Sequence, residues 1–186
     1  MSTIVVDADG LIKLIKLGKS GALPALLSAF VVLVPEAVWA EAVEEGKRRM
    51  YEDAHVLQRE LVDGGVEVVE DVPSEEAEVL LRESTASFGA GERAALSVFF
   101  VRGADAVLTD DRAFIGLLSG AERPVPALVP TAAIVALAEA GRMSFEEAQE
   151  ALGRMEQSVR EDALEAAVED LNAMRKTEPK PEGEER

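Results

Sequence analysis

The sequence predicts an α/β fold, a parallel sheet covered by helices on both faces. Short apolar or β-branched runs alternate with helical stretches along most of the chain, and strands alternating with helices need crossover connections that place helices on both faces. Of 186 residues, 48% are hydrophobic and 30% charged, enough for a sizeable core in one domain with a small appendage. Gly, Pro and Ser punctuate the apolar runs at intervals that suit helix starts and stops.

The elements follow in order. Residues 3–6, a β-branched run, form the first strand. Residues 11–17 have helical spacing and are broken by Gly18 and Gly21, and residues 24–29 suit a second short helix. Residues 30–34 form a strand. Pro35 occupies a first helical position, and that helix is expected to run on toward Val62, with Gly64 and Gly65 stopping it. Residues 66–69 form the third strand. Ser74, with acidic residues in the turn after it, opens a helix to about Arg82, and residues 84–91 read as loop. Then come a helix over 91–101, a strand over 106–109, a helix over 112–118, a strand over 127–129 and a helix over 131–140.

From Ser144 the pattern changes. Ser144 and Glu147 form a capping box, and Phe145, Ala148, Leu152, Met155 and Val159 make an apolar stripe. Ser158 and Glu161 repeat the box, and Ala163, Ala166, Ala167, Leu171 and Met174 continue the stripe. Residues 176–186 hold two prolines and no large apolar side chain, which predicts a disordered tail. The expected organisation is therefore a domain over 1–143, a helical extension over 144–175 and a tail over 176–186.

Composition narrows the function. Lys and Arg total 19 and Asp and Glu 36, a net charge of −17 spread along the whole chain, which argues against a protein that coats DNA by charge alone. With 0 cysteines, thiolate nucleophiles, zinc ribbons and iron–sulfur clusters are excluded. One histidine, His55, excludes a multi-His metal site. The start of the chain has no basic segment before an apolar one, and no uncharged apolar stretch reaches the ~18 residues of a membrane span. A cytoplasmic protein is expected.

Carboxylates carry what chemistry there is. In open parallel sheets, sites form beyond the carboxyl ends of the strands. Asp7 ends the first strand in VVDADG, and Asp110 and Asp111 follow the fourth in AVLTDD. The competing reading is helix capping, by Asp9 before residues 11–17 and by Asp111 before residues 112–118. Glu92 lies in a first helical turn after GAG, on the same face as Leu96 and Phe99, and so points toward the core; a first-turn Glu also simply favours the helix dipole. Glu41 in VPEAVWAEAV sits at the margin of the stripe of Val34, Val38 and Ala42, or is an ordinary surface charge. Together these are hard oxygen donors, suited to Mg²⁺ or Mn²⁺. Lys13, Lys16 and Lys19, and the run Lys47, Arg48 and Arg49, are candidates for contact with phosphates or are solvated faces.

Four segments in order resemble the PIN-domain ribonucleases, the fold of VapC-type toxins and their stand-alone relatives. VVDADGLIKL is similar to that family's first strand, PEAVWAE to its Pro-x-x-Val-x-x-Glu helix, GERAAL to its Gly-Glu-x-x-Ala segment and LTDDRAF to its Thr-x-Asp segment. The resemblance spans about residues 3–140 and implies a three-layer α/β/α sandwich with a parallel sheet of about five strands. It implies a Mg²⁺- or Mn²⁺-dependent endoribonuclease in which Asp7, Glu41, Glu92 and Asp110 are catalytic, with Asp111 as a further or alternative metal ligand. Lys13, Lys16 and Arg112 would then contact RNA. It also implies a homodimer and, for a toxin, an antitoxin protein as partner. Two other readings compete. DADG opens like the haloacid-dehalogenase phosphatase motif, although Leu11 stands where that family has Thr and no Lys lies between Lys47 and Lys176. A PIN-like scaffold without activity, binding a partner through its C-terminal helices, is the other.

Overall fold

The computed structural model describes residues 2–18, 22–63, 66, 68–155 and 159–177. Five parallel strands make the sheet: β1 (Thr3–Val6), β2 (Val31–Pro35), β3 (Val68–Val69), β4 (Ala106–Leu108) and β5 (Ala127–Leu128), in the order β3-β2-β1-β4-β5. β1 is central, pairing Ile4 with Val32 on one side and with Ala106 on the other. Both edges therefore diverge from β1, and the carboxyl ends of β1 and β4 lie side by side.

Side chains alternate across this sheet, as a period of two requires. Ile4, Val6, Val32, Val34 and Leu108 pack into one core, and Val5, Val69 and Val107 into another on the opposite face. The first core is covered by α1 (Ala8–Gly18), α2 (Ala22–Ala29), α9 (Pro130–Glu139), α10 (Phe145–Met155) and α11 (Glu161–Thr177), with α5 (Glu52–Asp63) at its side. The second is covered by α6 (Glu75–Glu83), α7 (Ala90–Arg102) and α8 (Arg112–Gly120). This is the expected three-layer sandwich.

Local chemistry explains most boundaries. Ser74 caps α6 by accepting from Ala77 N–H at 3.3 Å. Pro130 starts α9 at its first turn. Gly103 ends α7 with φ 62°, a left-handed C-cap that suits glycine. The capping box of α10 forms both ways, Ser144 N–H to Glu147 at 2.8 Å and Glu147 N–H to Ser144 Oγ at 3.2 Å. Ala148, Ala151 and Leu152 of α10 and Ala167 and Leu171 of α11 are buried in the first core, so these helices pack directly on the sandwich. Ser158 of the second box lies outside the described residues, as do residues 178–186 of the expected tail; Lys176 and Thr177 still belong to α11.

One element departs from the sequence reading. The helix expected from Pro35 to Val62 is interrupted. It runs as α3 (Glu36–Trp39), a π-helical segment (Ala40–Glu45) and α4 (Gly46–Arg48), then turns and restarts as α5. Met50 N–H bonds to Lys47 O and Tyr51 N–H to Gly46 O, both at 2.9 Å, and Met50 has φ 61°. That is the Schellman hydrogen-bond pattern with methionine in the position glycine usually takes. KRRMYE contains no Gly or Pro to announce the stop. Tertiary packing decides it: a Cβ at Gly46 would come 2.7 Å from Ala54 Cβ, so α5 folds back tightly against α4.

Candidate active site

Asp7 is the first residue past β1. Its N–H continues the ladder, donating to Leu108 O at 3.0 Å, and its side chain then turns back into the protein. Oδ1 accepts from Gly10 N–H at 2.7 Å, and Oδ2 accepts from the Thr109 hydroxyl. Asp7 thus caps α1, a task the sequence assigned to Asp9. A Cβ at Gly10 would lie 3.0 Å from Asp7 Oδ1 and 3.0 Å from Leu108 O, so the glycine of DADG is what lets α1 start this close to the carboxylate. Asp7 is only 2% exposed. Burial pushes its carboxyl up from 3.8 to about 7, against the opposing hydrogen bonds from Thr109 and Gly10; the charges of Asp9 and Glu92 add to the rise.

Glu41 stands in the π-helical segment, a rare turn geometry that often marks functional positions. The residue is largely exposed, but its carboxylate lies against the start of α7. A Cβ at Gly91 would come 2.8 Å from Glu41 Oε2. The glycine of GERAAL is therefore a steric consequence of Glu41. Partial burial raises the Glu41 carboxyl above its ordinary value, and the negative charges of Glu92 and Asp9 raise it further. Glu92, half-buried in the first turn of α7, folds its Oε2 back over Gly89, where a Cβ would be 2.8 Å away.

These three sequence-predicted acids are thus brought together electrostatically, with Asp9 as a fourth. The same Glu92 and Asp9 charges bear on both Asp7 and Glu41. The two acids after β4 are engaged differently. Asp110 is buried and ion-paired with Lys13 of α1. Asp111 is the N-cap of α8, Oδ1 accepting from Phe114 N–H at 2.6 Å; here the capping reading of the sequence holds. Among the described residues, no group of three or more Asp, Glu or His side chains is placed so that it could hold a metal ion unaided. Mg²⁺ usually keeps several waters and takes only one or two carboxylates, so this all-oxygen set fits such an ion through a pair of its members.

Of the residues expected to touch RNA, Lys13 lies beside Asp110, and Arg112 is exposed at the first turn of α8. Lys16 belongs to α1, with its side chain outside the described part, and Lys19 lies outside the described residues. Lys47, Arg48 and Arg49 pair at the surface with Glu44 and Glu45.

Sequence reasoning missed two residues. Thr109, fully buried, donates to Asp7 and accepts from Asp111 N–H at 3.1 Å, tying the ends of β1 and β4 together. Its signal was present as the Thr of Thr-x-Asp. Asp9, taken only as a cap, is instead an exposed member of the acidic group.

No curated protein matches the chain at a significant level. A family model described as a PIN domain matches residues 3–160, and the five-stranded parallel sheet with helices on both faces is the fold that match requires. Among the described residues no helix is long and apolar enough to cross a membrane. With the match extending over most of its length, the chain belongs to the PIN-domain family, whose members are in general nucleases.

Proposed function

We propose that the protein is a Mg²⁺- or Mn²⁺-dependent endoribonuclease. The observation that carries this reading is the mutually repelling group of Asp7, Glu41, Glu92 and Asp9 at one end of the sheet, in which the buried Asp7 is held by a hydroxyl and a backbone N–H and pairs with no cation among the described residues. Such a group is costly unless a cation offsets it. Asp7, Glu41 and Glu92 would hold the ion, a pair of them directly and the other through its waters, with Asp110 or Asp111 completing the site. A divalent cation there supplies an activated water and neutralises charge on the phosphodiester. The protein's own contribution is orientation. Thr109 and the Gly10 N–H fix both oxygens of Asp7, and Lys13 in α1 and Arg112 at the start of α8 offer cations for phosphate contact. Membership of the PIN family sets the phosphatase reading aside. A toxin role with an antitoxin partner, a homodimer and a cytoplasmic location belong to the same proposal.

The test is cleavage of single-stranded and structured RNA with and without Mn²⁺, comparing wild type with Asp7→Asn. Cleavage by wild type in Mn²⁺ alone, lost in the variant, supports the reading; metal-independent cleavage, or none under any condition, overturns it. One observation favours the scaffold alternative: among the described residues, no three acidic side chains are grouped so that they could hold one ion. A calorimetric Mn²⁺ titration separates the two, because a pure scaffold shows no saturable binding that depends on Asp7.

A further inference from the structure

The turn between α4 and α5 presents the most exposed large apolar side chain among the described residues, Met50 at 87%, and beside it Tyr51 at 55%. Met50 is held in a left-handed conformation that a bulky side chain rarely adopts, fixed by the tight return of α5 against Gly46. Together they flank a cleft of about 410 Å³, bounded also by Asp9, Ile12, Ala42 and Glu52. Asp9 also belongs to the acidic group, so the cleft shares a wall residue with the candidate active site.

We infer that this cleft is a subsite for one unpaired nucleobase, stacked on Tyr51, of a single-stranded RNA whose phosphate lies at the carboxylates; the inference rests on the nuclease reading and specifies its substrate. Three features select this occupant. An exposed aromatic ring on an apolar wall offers a stacking face to any base. The polar groups of the wall, Asp9 and Glu52, are acceptors, which match the amino and ring N–H donors of bases and repel free phosphates. On the same turn Arg48 and Arg49 remain largely exposed despite pairing with Glu45, which places cations where the neighbouring backbone would pass. A base-paired strand cannot supply the stack, so the subsite selects single strands.

The test is steady-state cleavage of a short single-stranded RNA in Mn²⁺ by wild type, Tyr51→Ala and Tyr51→Phe. One lost stack is worth roughly a five- to hundredfold change. Tyr51→Ala should lower kcat/KM by at least about fivefold, chiefly through KM, while Tyr51→Phe stays within about twofold. Tyr51→Ala within about twofold of wild type on an RNA that wild type cleaves overturns the subsite and leaves the nuclease reading standing. If wild type cleaves nothing, binding of the same RNA in Ca²⁺ decides. At least fivefold weaker binding by Tyr51→Ala supports a base subsite without chemistry, and equal or absent binding overturns it.

Discussion

The carboxyl ends of β1 and β4 lie side by side, each delivers a buried aspartate, and the protein treats the two in opposite ways. Asp110 has a lysine as immediate counter-ion. Among the described residues Asp7 is held by dipoles, a backbone N–H and a hydroxyl, and the charges of Asp9 and Glu92 act against its ionised form. A carboxylate supported only by dipoles is displaced toward its neutral form, here to about 7. The difference teaches that burial alone does not identify a ligand-binding acid. The acid held by dipoles rather than by a counter-ion is the one that gains most from an external cation, and the ion-paired one gains least.

The sharpest break of this comparison is Asp7→Asn. The replacement keeps the shape and the Oδ1 acceptor for Gly10 N–H, so the fold should persist. Loss of one anionic ligand should reduce Mn²⁺-dependent cleavage by at least about a hundredfold, since even outer-shell partners of metals are worth ten- to hundredfold. Activity per folded molecule at the wild-type level, measured alongside circular dichroism, would show that Asp7 only caps α1.

Lys13→Ala addresses the other strand end. It strands Asp110 as a buried, unpaired charge. Breaking a fully buried pair costs about 3–5 kcal/mol; Lys13 is partly exposed, so about 2 kcal/mol is expected. Added Mn²⁺ should restore part of the loss in Lys13→Ala by replacing the missing cation. Chemical denaturation with and without Mn²⁺ measures both, and an unchanged midpoint in metal-free buffer would show that the ion pair does not hold the two elements together.

The pH dependence follows from Asp7 as well. The unfolded chain releases this proton near 3.8 and the folded chain near 7. Between those values the folded state binds more protons, so stability falls as pH rises through the window and levels off above about 7. Asp7→Asn should remove that slope and be the more stable protein above neutrality. Saturating Mn²⁺, which favours the ionised carboxylate, should raise the wild-type Tm most at high pH, by an amount equivalent to about 2.7 kcal/mol at a hundred times the Kd. Melting curves from pH 4 to about 8.5 test it; a wild-type slope no different from that of Asp7→Asn rejects the assignment.

Much of this architecture was legible in the sequence, for physical reasons that can be named. The five apolar runs and the Ser74 and Ser144 caps are local signals, and local signals survive folding. The break at Met50 was not legible, because what stops that helix is contact between Gly46 and Ala54, far beyond any turn motif. For the candidate site, the strand-end positions of Asp7 and Asp110 were readable from topology rules alone. Their different partners were not. Lys13 reaches Asp110 across 97 residues of sequence, and the coupling of Glu41 with Glu92 exists only because α3 and its π-helical continuation lie against α7. Thr109 shows an intermediate case, since its motif was visible while its role as the hydrogen-bonded link between two strand ends needed the register of β1 against β4.

The smallest expected effect separates Asp110 from its neighbour. Asp111 accepts from Phe114 N–H at 2.6 Å, an N-cap bond, and its other contact at the site is a backbone one to Thr109. An N-cap needs an acceptor atom and not a charge, and asparagine serves there about as well as aspartate, whereas alanine costs about 1 kcal/mol. Asp111→Asn should therefore leave both Tm and cleavage near wild type, and Asp111→Ala should lose about 1 kcal/mol while keeping its rate per folded molecule. A metal ligand behaves in the reverse way, because the amide of asparagine carries no charge to attract a hard cation. If Asp111→Asn cleaves at least about tenfold more slowly at unchanged Tm, the contrast drawn between the ends of β1 and β4 fails. The end of β4 would then serve the metal after all, through an acid that already has a structural task as a cap.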